Sequence, residues 1–239
     1  MAEIDVKRGD VVLLEYTLID KDSGTIIETT LDSVAKEAGI YDESIRYGPR
    51  LTVIGSGELP PGVEESLEGM REGEDKEVIL SPEKAFGRRD PGKVRVIPAR
   101  ELSSRGIIPR VGLEVELKGE RGIIISVGSG RTIVDFNHPL AGKEVIYKLK
   151  TLKILKNPEE KVKAFLEKHL KLTENVELSI SNGDLTLKVP FQMFYSSENI
   201  QSLQSFARDI EKFVNEIKTI TLSVRLFERK EGETGAPTP

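Results

Sequence analysis

Leu59-Pro60-Pro61-Gly62-Val63-Glu64-Glu65-Ser66-Leu67-Glu68-Gly69-Met70 reads as a two-turn helix with both ends marked. Proline precedes it, glutamates fill its first turn and Gly69 follows its last apolar positions, the asymmetry that helix termini prefer. On either side the chain reads as strands: an apolar run at 11–19, a turn at Asp22-Ser23-Gly24, then 25–29, 51–54 and 76–80. Asp32 stands where it could cap a short helical turn over 33–38 that stops at Gly39.

Farther along, the texture changes. Between 87 and 136, short β-branched runs at 94–97, 113–117, 122–127 and 131–135 alternate with Gly and Pro, which predicts an all-β module of roughly 50 residues, small for independent stability. Residues 145–155 then alternate with period two, one face apolar and the other basic. Asn157-Pro158 opens a helix with Val162, Phe165 and Leu166 on one side. Asn182-Gly183 is a strong hairpin signal between two further strands. Ser197 is placed to cap a long helix whose apolar positions run from Ile200 through Leu203, Phe206, Ile210, Phe213 and Val214 to Ile217. A final strand over 219–227 and a polar, disordered tail over 229–239 complete the reading. The order α-β-β-α-β of this last part predicts a small α+β domain with helices on one face of its sheet.

Composition narrows the function. The chain of 239 residues carries 35 Lys and Arg against 40 Asp and Glu, a formal charge of −5, whereas coating nucleic-acid phosphates needs clustered cations. It has no Cys, which removes disulfides, thiol nucleophiles and thiolate metal sites and suits a reducing, cytoplasmic setting. No apolar run approaches the roughly 20 residues that span a bilayer, so no membrane partner is expected. The two histidines, His138 and His169, are too few for an imidazole-based triad or zinc site. His169 reads as a surface residue near a helix end and His138 as a turn-fixing hydrogen-bonding group. The pairs Glu64-Glu65 and Glu159-Glu160 read as solvated helix starts, and Gly55-Ser56-Gly57 has no following Lys in phosphate-loop spacing. Acid–base, metal and phosphoryl chemistry therefore find little material, and no cofactor is expected.

Glu15-Tyr16-Thr17-Leu18, Gly24, Ile27-Glu28-Thr29-Thr30, the 59–70 helix, Gly73-Glu74 and Ser81-Pro82-Glu83-Lys84-Ala85-Phe86-Gly87 resemble, in order and spacing, the FKBP family of peptidyl-prolyl cis/trans isomerases. Asn137-His138-Pro139-Leu140-Ala141-Gly142 is similar to the hallmark of the SlyD-like subgroup, in which an insert-in-flap chaperone module interrupts the fold. The appended domain makes the chain similar to the long-chain archaeal type. The resemblance implies an α+β multidomain chain. An FKBP-like antiparallel sheet wrapped on a short helix takes 1–87 and 137–156, an all-β insert 88–136, and a C-terminal α+β domain 157–228. It also implies a pocket lined by Tyr16, Ile27, Glu28, Leu59, Pro60, Val63, Phe86 and Tyr147, with Val63 as its floor and Tyr147 as a wall.

That activity needs no proton transfer. Amide resonance sets a rotation barrier of about 18–20 kcal/mol, and the twisted amide is less polar than the planar one, so a dry apolar pocket favours it relative to water. Each ~1.4 kcal/mol of preference is tenfold in rate. The sequence departs from the family pattern at the floor, where a large residue is usual instead of Val63, and at Ile27 and Glu28, where an aromatic residue and Asp are usual. It also departs at two anchors: Pro60 has no N–H and Phe86 no hydroxyl to hold a substrate carbonyl. Weakened turnover is the expectation, with Tyr16 and Glu28 left to orient the substrate. The implied partner is unfolded or nascent polypeptide containing proline, gripped by the insert, and a homodimer through the C-terminal domain is a further expectation. The alternative is a non-enzymatic holdase on the same frame. A transcription-elongation factor, in which a similar domain carries a coiled-coil hairpin, finds no sustained heptads here.

Overall fold

The structure, a computed structural model, describes residues 5–170 and 176–225. The chain opens with strand β1 (Val11–Asp20), a turn and β2 (Ile26–Thr29), then helix α1 (Asp32–Glu37), β3 (Arg50–Val53), helix α2 (Pro61–Leu67) and β4 (Asp75–Leu80). Asp32 is not the cap of α1: it is the first helical residue, Leu31 occupies the cap position, and the Asp32 carboxylate pairs instead with Lys36 one turn on. The carboxylate sits inside the turn, where it favours the positive helix end without bonding an amide.

The insert follows as β5 (Val94–Pro98), helix α3 (Ala99–Ser103), β6 (Glu114–Leu117), β7 (Glu120–Gly128) and β8 (Arg131–Asp135), forming a four-stranded antiparallel sheet in the order β5-β8-β7-β6. It is not all-β. The single turn of α3 puts Leu102, fully buried, into a core with Val115, Leu117, Ile124 and Val134. Two chain crossings tie the insert to the rest. Asn137 accepts the Asp90 N–H at 2.8 Å and donates to the Asp90 carbonyl at 2.9 Å, Arg89 pairs with Asp135, and the Gly142 N–H donates to the Gly87 carbonyl at 2.8 Å.

The chain then returns as β9 (Val145–Leu155), which runs between β1 and β4 and closes a five-stranded antiparallel sheet ordered β2-β1-β9-β4. β3 shares an edge of β1 with β2, pairing with residues 11–14 while β2 pairs with 17–19. Alternation along β1 sorts its side chains to two different cores. Val12, Leu14, Tyr16 and Leu18 face α2 with Val63, Leu67 and Met70, whereas Val11 and Leu13 turn to the opposite side.

On that opposite side lies the C-terminal domain: helix α4 (Pro158–Leu170), strands β10 (Glu177–Ser181) and β11 (Asp184–Pro190), helix α5 (Ser197–Phe213) and β12 (Thr219–Arg225). Asn157 caps α4, accepting the Glu159 N–H at 2.8 Å. Asn182 and Gly183 both take positive φ, +54° and +91°, the geometry a two-residue hairpin demands. β12 pairs parallel with β11, and α5 supplies the crossover that parallel neighbours require. The α5 cap is Ser196, not Ser197: its hydroxyl accepts the Glu198 N–H at 3.2 Å. One continuous core joins Phe165, Phe206, Ile210, Leu185 and Leu187 to Val11, Leu51, Val53 and Leu155, so the back of the first sheet is the seat of this domain. His169 is not a surface residue. It lies between α4 and α5, 16% exposed, with Nε2 2.8 Å from Asp209 Oδ2. Phe227 and the 229–239 tail lie outside the described residues. Among the described residues no helix is long and apolar enough to cross a membrane.

Candidate active site

Register places the two tyrosines. Tyr16 pairs with Leu149, so Tyr147, two residues away on β9, is its diagonal neighbour on the same face, and the rings lie 5.9 Å apart at 48°. Both are 3% exposed and belong to the core that includes Leu59 and fully buried Val63, with Phe86 half-buried against it. The structure therefore brings together Tyr16, Leu59, Val63, Phe86 and Tyr147. Pro60 is half-buried at the start of α2. Ile27 is not part of the cluster: it lies 40% exposed on β2. Glu28 is exposed at the edge and reaches in through its carboxylate.

Gly62 sets the distance between two of these walls. A Cβ there would sit 2.7 Å from Leu80 Cδ2 and 2.9 Å from the Lys84 carbonyl, so only glycine lets α2 rest directly on the 3₁₀ turn Pro82–Lys84 that leads into Phe86. Phe86 in turn stacks on His138, ring centroids 4.5 Å apart and nearly parallel at 4°. His138 Nδ1 accepts the Leu140 N–H at 3.1 Å, which agrees with the turn-fixing reading and adds a role: the loop after the insert carries a flat backing for Phe86. The motif at 137–142 was the available signal for it.

Polar contacts at the cluster edge are closed on themselves. The Tyr16 hydroxyl donates to Glu28 Oε1 and accepts from Arg50 Nη1 at 2.8 Å, and the same guanidinium lies 3.8 Å from the Glu28 carboxylate. Burial first, and then the Glu28 hydrogen bond, pushes the Tyr16 phenol up to about 12. Burial, with Tyr16 and Glu28 adding to it, also pushes Tyr147 up. Both phenols therefore stay protonated across the neutral range. Arg50 is the member that sequence reasoning missed. It begins β3 opposite Leu14, and Leu14 shares a face with Tyr16, so the register alone delivers it to the hydroxyl. A cleft of about 520 Å³ opens at this edge, bordered by Tyr16, Glu28, Tyr47, Arg50, Glu58 and, from α4, Lys168; Leu59, Pro60, Val63, Phe86 and Tyr147 do not line it.

Residues 2–103 match the model of the FKBP-type peptidyl-prolyl cis-trans isomerase family, and residues 95–140 match that of the FKBP26 IF domain. The chain is 37% identical over 145 residues to the short-type peptidyl-prolyl cis-trans isomerase of Methanocaldococcus jannaschii, covering 61% of this chain and 91% of that protein. It is 30% identical over 154 residues to the FKBP-type 16 kDa peptidyl-prolyl cis-trans isomerase of Escherichia coli K12, covering 62% of this chain and 93% of that one. Against SlyD of Aeromonas hydrophila the identity is 34% over 141 residues, 58% of this chain and 59% of that one. The chain belongs to the FKBP-type peptidyl-prolyl cis-trans isomerases and carries an insert-in-flap domain. Its enzymatic class is isomerase.

Proposed function

We propose that the chain turns X–Pro bonds of unfolded or nascent polypeptide at the site made by Tyr16, Glu28, Leu59, Pro60, Val63, Phe86 and Tyr147, with Ile27 at its outer edge. The observation that carries this reading is the convergence of Tyr16, Val63, Phe86 and Tyr147 in one apolar cluster, of which Tyr16 also lines an open cleft. A planar amide entering such surroundings loses hydration that its twisted form needs less, so rotation becomes easier without any group titrating near neutrality. The insert grips the client: Val96, Ile108, Val111, Ile125 and Val127 are all exposed on it, and β5 and β6 are the edges of its sheet, open to an added strand. The absence of Cys from the sequence supports a cytoplasmic location, and a charge of −5 supports a polypeptide rather than a nucleic acid as partner.

The test is a protease-coupled assay on a proline tetrapeptide. Isomerisation at the site predicts acceleration over the uncatalysed tens of seconds; an unaccelerated rate would leave only the holdase reading. A homodimer through the C-terminal domain is supported by the exposed group Phe191, Phe194, Tyr195 and Ile200. Light scattering on the full chain is expected to give twice the 26.6 kDa protomer mass, and a value at the protomer mass removes the dimer.

A further inference from the structure

The cleft at Tyr16 is walled on one side by the C-terminal domain, and the contact across it is electrostatic. Lys168 on α4 reaches Glu58 at 2.6 Å; the two side chains are 26% and 29% exposed, and the Lys168 ammonium is also 3.5 Å from Asp209 and 5.8 Å from the Phe165 ring centre. A second pair, Arg46 with Glu167, is more than half exposed on the arginine side and contributes little. Glu58 immediately precedes Leu59 and Pro60 and borders the same cleft as Arg50. Burial works against the Arg50 charge, but Tyr16, Glu28 and, least of the three, Glu58 more than offset it, and Glu58 lines the cleft with Arg50, so it is a competing anion for the guanidinium that holds the Tyr16 hydroxyl.

We propose that Lys168 is a positioning residue of the isomerase: by holding Glu58, it keeps that carboxylate from drawing Arg50 away from Tyr16 and Glu28. The C-terminal domain is then part of the catalytic unit as well as a neighbour of the insert-bearing domain. The inference rests on the site reading above. Without Lys168, Glu58 loses the ammonium held at 2.6 Å, and Arg46 and Arg50 are the other cations lining the same cleft, Arg46 already being paired with Glu167. The Arg50 guanidinium shifts toward Glu58, and Tyr16 loses its donor. The effect is sign-specific, because removing the Glu58 charge removes the competitor.

The experiment measures kcat/KM on a proline tetrapeptide for the full chain, Lys168→Met, Lys168→Arg, Lys168→Met/Glu58→Gln and Tyr16→Ala, with the thermal midpoint of each. Lys168→Met is expected to lose roughly fivefold, part of what a lost charged hydrogen bond costs. Lys168→Arg, which keeps the cation, and the double variant, which removes the competitor, are expected to return to within about twofold of the parent. A double variant as slow as Lys168→Met, at unchanged thermal midpoints, means that Lys168 serves only packing and overturns the proposal. Lys168→Met at the parental rate while Tyr16→Ala is slow overturns it and leaves the site reading standing. Tyr16→Ala at the parental rate overturns both.

Discussion

Replacing residues 91–136 by a two-glycine bridge is expected to slow catalysis of proline-limited refolding of a protein substrate by roughly 100-fold, while turnover of a tetrapeptide changes by less than about threefold, because tethering raises the local concentration of each client proline. The neck makes this separation clean. Asp90 and Asn137 are already joined by two hydrogen bonds, so their chain ends lie side by side. The core of the insert, from Ile97 and Leu102 to Phe136, is separate from the core around Tyr16, and no residue between 90 and 136 enters the latter. Starting the return at Asn137 keeps His138 behind Phe86 and Leu140 in the main core. Equal losses on both substrates would mean that the insert supports the site and does not deliver clients to it.

Pro60→Ile combined with Phe86→Tyr is expected to accelerate tetrapeptide turnover by roughly tenfold or more. Each change supplies a donor where the chain has none, an N–H at 60 and a phenol at 86, and a net hydrogen bond contributes about 0.5–1.5 kcal/mol. Backbone geometry permits the first change: Pro60 has φ −52° and ψ 143°, an extended conformation that isoleucine adopts readily. The need for the second is sharpened by the Tyr16 clamp, because the hydroxyl proton of Tyr16 is committed to Glu28 and is not offered to a substrate carbonyl. An unchanged rate in the double variant would show that this site does not use carbonyl anchors at those positions.

What could be read in advance follows from which signals are local. β1 and β9 betray themselves by apolar runs and period-two alternation, and α2 by proline before it and glycine after it, whereas Tyr16, Val63 and Tyr147 could be grouped in advance only through the resemblance to the FKBP family. The hairpin at Asn182-Gly183 needed only its two positive φ values. α3 escaped because five residues with one buried side chain, Leu102, have no periodicity to detect. Ser196 and Ser197 are adjacent equivalents to a propensity argument, and only the hydroxyl bonded to the Glu198 N–H separates them. Arg50 escaped because a lone arginine at a strand start is ordinary; its importance comes from the register that sets it beside Tyr16. The seating of the C-terminal domain was hidden in the same way. Val11, Leu51, Val53 and Leu155 look like core residues of a single sheet, and that β1 is buried on both faces is a tertiary fact.

The account depends on amide rotation in a dry pocket with no proton in flight. The phenols of Tyr16 and Tyr147 are both raised and stay neutral through the working range, so neither stands ready as a phenolate base. The direct test is the ratio of tetrapeptide kcat/KM in H2O to that in D2O for the full chain. Rotation in an apolar site predicts a ratio of about 1, and a ratio of about 2 or more, the mark of general acid–base participation, would contradict it.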